Sequence, residues 1–216
     1  MYFKKILWAI ALIGLVIAGG FAYYVYVSVF TANTAFNNTE AHVYIPTAAR
    51  FSDVVNELNP LVSNINTFQA VANRKGYSSN VKPGHYVLRR GMNNNDIINT
   101  IRSKNTPVFV KFNNQERLED LAGHLSNIIE ADSISLIKTF KDSSFLRTQK
   151  FTKESVFSVF LPNTYEVYWN TSPEGFRDRM LKEYNAFWNS QRLKKAADLN
   201  LSKEEVISLD AIVQQE

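Results

Sequence analysis

The sequence has no cysteine among its 216 residues. This excludes disulfide bonds, thiolate catalysis and cysteine-ligated zinc. Histidine is also scarce, and the three histidines, His42, His85 and His124, do not share a metal-ligand spacing. There is no P-loop, no dinucleotide fingerprint and no G-x-S-x-G nucleophile motif. We therefore expect no metal and no cofactor.

A large excess of one charge is lacking as well. The chain has 24 basic and 20 acidic residues, and Lys4 and Lys5 precede the first apolar run. The remainder is therefore nearly balanced, which argues against nucleic acid as a partner. The hydrophobic fraction of 45% is sufficient for packed cores in one or two small domains.

The first apolar run, Ile6 to Phe30, contains no charged residue. It is longer than the roughly 20 residues that a helix needs to cross the hydrocarbon core of a membrane. Lys4 and Lys5 precede it, so the positive-inside rule predicts a cytoplasmic N-terminus, with everything after residue 30 outside. The alternative, a cleaved signal peptide, is disfavoured because the run is too long and no small-x-small cleavage site follows it.

Polar residues 31–41 predict a short tether that lifts the next domain off the bilayer. Residues 42–105 then predict a compact unit, because strand-like and helix-like apolar patterns alternate with turn signals. The expected elements are a strand at His42–Ile45, a helix with the apolar stripe Phe51, Val54, Val55 and Leu58, a helix capped by Thr67, a strand at His85–Arg89 and a helix through Ile97, Ile98 and Ile101.

Residues 106–216 predict further packing elements, including a strand at Val108–Phe112, an amphipathic helix from Leu118 and a helix capped by Asp132. Within this part, Phe160 to Tyr168 is an aromatic stretch beside a proline. Aromatic residues beside a turn most often belong to a core. Tyr165, Tyr168 and Trp169 would also suit a wall that stacks on the apolar faces of sugar rings, so both interpretations remain open.

The last stretch predicts a helix that holds a carboxylate on an apolar face. Ser202 and Glu205 have the spacing of a capping box, so the helix should start at about Lys203. The apolar residues Val206, Leu209, Ile212 and Val213 recur at helical spacing, and Glu216 falls on the same face. Desolvation there would raise the pKa of Glu216, as a general acid requires. The alternative is a solvated glutamate at the end of the chain.

Two of these stretches resemble a known family. Leu209-Asp210-Ala211-Ile212-Val213-Gln214-Gln215-Glu216 resembles the A-S-I-hydrophobic-x-x-E signature of the MltG-like (YceG-like) endolytic murein transglycosylases, with Asp210 and Ala211 in place of Ala and Ser. The stretch 160–168 resembles the family's F-x-P-[DN]-T-Y segment at the edge of the catalytic cleft. The order of elements in 42–105 resembles the family's LysM-like domain. Asn113-Asn114 stands where the family usually has Glu-Gly.

The resemblance implies an α+β fold: a cytoplasmic tip and transmembrane helix over 1–30, the tether 31–41, a LysM-like βααβ domain over 42–105 and the start of a catalytic domain over 106–216. It also implies a lytic transglycosylase of the bacterial inner membrane that cleaves nascent peptidoglycan to 1,6-anhydro-MurNAc ends and terminates chain elongation. Glu216 would be the catalytic residue, and substrate binding would involve Tyr165, Tyr168 and Trp169. Peptidoglycan strands, and peptidoglycan synthases as further candidates, would be the partners.

Two further expectations follow. An anion at the C-terminal end of a helix is unfavourable, so Glu216 beside a chain terminus indicates that the sequence is part of a longer protein and that this fragment alone is inactive. The alternative function is a non-catalytic, single-pass protein that binds peptidoglycan or serves as a scaffold for cell-wall synthesis, and the LysM-like unit could equally be a spacer that binds no sugar.

Overall fold

The computed structural model describes residues 2–113 and 117–213, and the side chains at 208 and 210–213 are outside this description. The fold is α+β, as predicted, with a long apolar N-terminal helix and two small sheets. The chain divides into two compact units, Met1–Thr106 and Pro107–Glu216. Each unit contains one two-stranded antiparallel sheet and its own hydrophobic core.

The first unit begins with the helix α1, Tyr2–Phe30, which is long and apolar enough to cross a membrane. A strand, two helices and a second strand follow, and a last helix precedes the boundary. These elements are β1 (Glu40–Ile45), α2 (Phe51–Leu58), a 3₁₀ turn (Asn59–Leu61), α3 (Ile65–Arg74), β2 (Gly84–Arg89) and α4 (Asn94–Ser103).

Strands β1 and β2 pair from Glu40 opposite Arg89 to Ile45 opposite Gly84. Side chains alternate along each strand, so every second residue points into the core of the first unit. These inward residues are Val43, Ile45, Tyr86 and Leu88. They pack with buried residues of α2, α3 and α4, which explains the periodic apolar pattern of the sequence.

Helix α3 begins earlier than predicted. Asn64, not Thr67, is the N-cap, and its side-chain oxygen accepts a hydrogen bond from the amide of Thr67 at 3.1 Å. Thr67 is the third helical residue, and its hydroxyl donates back to the Asn64 carbonyl at 2.9 Å. Both residue types occur near helix starts, and the sequence pattern did not distinguish the cap from the residue that it caps.

The segment 31–39, predicted as a tether, runs along the first unit. Ala32 forms a β-bridge with Asn93, and Thr34 forms one with Val62. Asn33 is buried between these two bridges. Strand β1 then starts at Glu40, two residues before the predicted start. The segment is therefore part of the packed structure of this unit.

The second unit consists of helices packed around one strand pair. Its elements are β3 (Pro107–Phe112), α5 (Leu118–Ser126), α6 (Ser133–Phe140), α7 (Ser143–Gln149), a 3₁₀ helix (Ser155–Val159), β4 (Asn163–Tyr168), α8 (Pro173–Phe187), α9 (Ser190–Asp198) and α10 (Lys203–Val213). Asp132 caps α6 as predicted, because its carboxylate accepts the Ser135 amide at 2.9 Å.

Strand β4 is the main element that the sequence analysis missed. Its residues pair with β3 from Pro107 opposite Tyr168 to Phe112 opposite Asn163. Tyr165 and Val167 point into the core, whereas Glu166 between them is exposed. The proline and the aromatic residues suggested a turn, and the alternation that identifies a strand covers only a few residues here.

Candidate active site

Helix α10 starts with the predicted capping box. The Ser202 amide donates to the Glu205 carboxylate at 2.7 Å, and the Glu205 amide donates to the Ser202 hydroxyl at 3.2 Å. Hydrogen bonding from the Ser202 backbone, and then from its side chain, lowers the pKa of Glu205 below its ordinary value. Glu205 therefore remains ionised, as favoured near a helix N-terminus, and fixes where α10 begins.

The described side chains of α10 match the predicted apolar face at Val206 but not at Leu209. Val206 and Ile207 are the residues that pack against the core of the second unit, whereas Leu209 is 47% exposed. The most extensive contacts of α10 are with α9 and with the 3₁₀ helix. Glu216, the predicted catalytic residue, lies outside the described residues.

A second contact holds the start of α10. The Lys203 ammonium lies 5.7 Å from the ring centroid of Tyr184 and 6.0 Å from that of Trp188. An ammonium group over aromatic faces is attracted by the electron density of the rings. The start of α10 is therefore in contact with Tyr184 on α8 and with Trp188, the residue after α8. These contacts help to set the direction of α10.

A cavity of about 430 Å³ lies between α10, α8 and the stretch that precedes β4. The second half of α8 forms one side, and the first turns of α10 form another. Its lining residues are Leu161, Pro162, Asn163, Tyr165, Glu183, Ala186, Phe187, Val206 and Ile207. The cavity therefore brings together the Pro162 stretch and the final helix, which are some 40 residues apart in the sequence.

Tyr165 lines this cavity mainly as a structural residue. Its side chain is 5% exposed, and its ring stacks on Phe112 at a centroid distance of 5.5 Å. Its hydroxyl donates to the Leu161 carbonyl at 2.6 Å. Burial raises the pKa of Tyr165 to about 12, so the hydroxyl stays protonated and keeps donating. Tyr165 therefore holds the turn that carries Pro162 against β4.

The predicted aromatic wall is not assembled as one surface. Tyr168 is 53% exposed on the face of β4 opposite to Tyr165, because residues three apart in a strand point to opposite sides. It lines a separate depression of about 260 Å³ together with Pro107, Glu166 and Arg179. Trp169 is half-buried, and its carbonyl accepts the Glu130 amide at 2.8 Å.

Glu183 is a cavity residue that the sequence analysis missed. It is a carboxylate lining the cavity, and the Arg179 guanidinium donates to it at 2.8 Å. Arg179 and Glu183 are four residues apart on α8, a spacing that places two side chains side by side on a helix. This spacing was visible in the sequence, but nothing there indicated that Glu183 faces a cavity.

The three histidines have structural contacts. His42 Nδ1 lies 2.8 Å from His85 Nε2, and His85 Nδ1 lies 3.2 Å from the Thr106 carbonyl. His124 Nε2 lies 2.8 Å from the Lys111 carbonyl. Within residues 2–113 and 117–213, no group of three or more acidic or histidine side chains is arranged to hold a metal ion.

Comparison with known proteins agrees with the resemblance of the stretches 160–168 and 209–216. A family model described as the YceG-like family matches residues 43–216. The chain belongs to the YceG-like family. The match covers both units except α1 and the segment after it, so the resemblance of the Pro162 stretch and of the final helix is part of a similarity along most of the chain.

The chain also aligns with a solved structure of a yceG-like protein. The crystal structure of a yceG-like protein from Listeria monocytogenes aligns with 18% identity and a TM-score of 0.41. The alignment covers 76% of this chain and 60% of the Listeria chain, so the present chain spans about three fifths of that protein's length. No curated protein matches the chain.

Proposed function

We propose that this YceG-like chain belongs to a membrane-anchored lytic transglycosylase that cleaves nascent peptidoglycan strands and thereby terminates their elongation. The observation that carries the proposal is the cavity of about 430 Å³, because it is lined by the Pro162 stretch and by the first turns of α10, the helix that leads into the stretch 209–216. Its volume lies in the range of about 300–1,000 Å³ that is usual for ligand pockets. Family membership supports the same reaction class.

The lining of the cavity suits a sugar strand. Apolar surface from Pro162, Phe187 and Val206 can face the C–H side of a sugar ring, and Asn163 and Glu183 supply polar groups for its hydroxyls. Tyr168, Trp169 and Tyr165 remain proposed substrate-binding residues, with Tyr165 acting through the shape of the Pro162 turn. Glu216 follows Val213, the last described residue of α10, by three residues in the sequence.

The proposed reaction uses one carboxyl group twice. Protonated Glu216 donates its proton to the glycosidic oxygen as the C1–O4 bond breaks. The resulting carboxylate then takes the proton from the 6-hydroxyl of the same sugar, whose oxygen bonds to C1. The product is a 1,6-anhydro-MurNAc end, no water is consumed, and Glu216 returns to its protonated form.

Placement in the cell is also part of the proposal. Helix α1 would cross the bacterial inner membrane once, with Lys4 and Lys5 on the cytoplasmic side and the rest of the chain outside. The order of β1, α2, α3 and β2 supports a LysM-like domain over 42–105, and residues 106–216 would begin the catalytic domain. Glycan binding by the LysM-like domain is a further part of the proposal. Peptidoglycan synthases would be the protein partners.

The test is Glu216→Gln in the full-length protein, assayed on peptidoglycan strands. Glutamine keeps the shape of the side chain but cannot transfer a proton, so we expect a rate at least about a hundredfold lower with unchanged folding. Glu205→Gln is the matched control, because glutamine also serves in a capping box and the cleavage rate should persist.

Mass spectrometry of the products separates the possible reactions. Anhydro ends are expected, and ends heavier by one water would indicate a hydrolase. Undiminished cleavage by the Glu216→Gln protein would show that another residue is the acid. Retention of the unchanged full-length protein on insoluble peptidoglycan without any cleavage would favour the alternative function, a non-catalytic glycan-binding scaffold. The first unit supports that alternative, because it has a complete core of its own.

A further inference from the structure

The junction between α1 and the first unit is held by a buried network of asparagines. Asn94, at the start of α4, is 1% exposed, and Asn33, just after α1, is 6% exposed. The Asn94 amide group donates to the Ser28 carbonyl in the last turn of α1 at 2.7 Å and to the Thr67 hydroxyl at 3.1 Å. Its oxygen accepts from the Asn33 amide group at 2.7 Å.

Asn33 extends this network to α3 and to the chain before α4. Its side chain donates to the Asn64 carbonyl at 3.0 Å and accepts the Asn64 amide at 2.9 Å. Its backbone amide donates to the Met92 carbonyl at 2.9 Å, and its carbonyl accepts the Ser63 amide at 2.8 Å. Buried amides with all these partners hold the surrounding segments in one arrangement, because a displaced partner leaves a buried polar group unpaired.

Apolar packing continues across the same junction. Ser28 is buried, and Val29 packs against the core of the first unit. The last turn of α1 therefore packs against the globular part of this unit. A free chain over residues 31–41 would instead have an end-to-end distance of about 17–20 Å and no fixed direction.

The length of α1 places this junction close to a membrane. Its 29 residues extend for about 43 Å at about 1.5 Å per residue. A hydrocarbon core of about 30 Å uses about 20 of them, so a span that starts after Lys5 ends near Tyr26. Only about one helical turn then separates the hydrocarbon from the buried Ser28.

We infer that α1 and the rest of the first unit form one rigid body, held together by a lock of Asn94 and Asn33, and that residues 31–106 lie directly on the lipid headgroup layer in a fixed orientation. The inference rests on the proposed membrane anchoring. Exposed residues next to the junction suit contact with lipid headgroups, because they are polar and uncharged. They are Ser63, Asn64 and Asn66. The lock transmits any tilt or rotation of α1 to the first unit.

Electron spin resonance distance measurements test the lock, and the absence of cysteine allows two labels to be placed cleanly. Nitroxides are attached at Ala22→Cys on α1 and Asn56→Cys on α2 of the full-length protein, in liposomes and in detergent. We expect one narrow distance distribution in both. A broad distribution of distances between the two labels would overturn the inference. Such a distribution is expected for a free tether with an end-to-end distance of about 17–20 Å.

Substitutions test whether the side chains of Asn94 and Asn33 hold α1 in this fixed position. Asn94→Ala should broaden the distribution, and Asn33→Ala should do the same. Asn99→Ala is the matched control, because Asn99 lies on α4 but bonds to Lys75, away from α1. An unchanged narrow distribution in both Asn94→Ala and Asn33→Ala would refute the role of the amides. The measurement on the unchanged protein stands even where a variant fails to fold.

The lipid contact has its own readout. A bimane fluorophore at Asn66→Cys should be quenched by a lipid that carries a nitroxide on its headgroup, and absence of quenching would refute the contact. Extraction of the protein from liposomes by sodium carbonate would contradict the proposed membrane anchoring instead. The distance distribution in detergent would still report on the lock, so the two failures are distinguishable.

Discussion

Both units bury aromatic rings, but among the described residues only the first unit also buries asparagine amides. Asn33 and Asn94 are bonded on several sides in the first unit. In the second, the rings of Phe140 and Phe160 lie 4.6 Å apart, and Phe176 stacks on Phe160 at 6.5 Å. Amides require partners at fixed positions, while rings pack with less directional demand. The buried amides thus suit the first unit to holding its segments in a fixed position.

The largest effect is expected from removing a buried ring in either unit. Phe176→Ala should destabilise the second unit by about 3–5 kcal/mol, because the lost ring leaves a cavity among Phe140 and Phe160. Phe68→Ala should cost the first unit a similar amount. Hydrogen exchange, read peptide by peptide, should show lost protection only in the unit that carries the substitution. Equal loss in both units would show that they unfold together.

A medium effect is expected at Gly84, where β2 begins. Gly84 has a φ of +148°, and a Cβ there would meet the Asn105 side-chain oxygen at 2.5 Å. Gly84→Ala should therefore destabilise the first unit by about 1–3 kcal/mol. Gly123→Ala is the control: a Cβ there has open space within α5, and a gain of about 0.4–1 kcal/mol is expected.

Chemical denaturation and hydrogen exchange measure both glycine variants. Protection in peptides covering 84–106 should fall for Gly84→Ala, since Asn105 also accepts the His85 amide at 3.0 Å. Unchanged protection there would mean that the chain around Asn105 moves aside at little cost.

The smallest effect concerns pH. Burial, together with the nearby His42, lowers the pKa of His85 below its ordinary value of 6.5, against the opposing hydrogen bond to Thr106. As the pH falls below 6.5, His85 therefore binds a proton in the unfolded chain before it does so in the folded chain. The stability of the first unit then falls as the pH falls toward the pKa of His85 in the folded state. Above pH 6.5, His85 is neutral in both the folded and the unfolded chain, so it adds no pH dependence to the stability.

Denaturation midpoints at pH 7.5 and 5.5 check this expectation. His85→Gln should reduce the loss of stability between the two pH values, while His124→Gln, on the second unit, should leave it unchanged. A pH dependence that is the same in His85→Gln as in the unchanged protein would exclude His85 as its source.

The sequence predicted the parts of the fold that depend on local patterns. The apolar stripe of α2, the Asp132 cap and the Ser202–Glu205 capping box needed only neighbouring residues, and each is present. The placement of residues 31–39 along the first unit was not predictable, because Asn33 meets partners that are 31 and 61 residues away. A polar segment has the same composition whether it is solvated or bonded to a distant partner.

In the candidate site, too, the sequence predicted the local features but not the contacts between distant residues. The Pro162 stretch and α10 were recognised from their residues, but their meeting at one cavity and the presence of Glu183 depend on how α8 packs. Tyr165 and Tyr168 were grouped because they are close in sequence. Strand alternation separates them, and the strand itself was hidden by the proline before it.

Both sheets pair strands that are far apart in the chain, and this sets an order for folding during synthesis. β1 must wait for Gly84–Arg89, and β3 must wait for Asn163–Tyr168. The ribosome therefore releases a complete first sheet while β3, with Phe109 largely exposed in the finished fold, still lacks its partner. An unpaired strand edge readily joins other chains. The time between the synthesis of β3 and β4 is thus the interval in which a nascent chain most needs protection from aggregation.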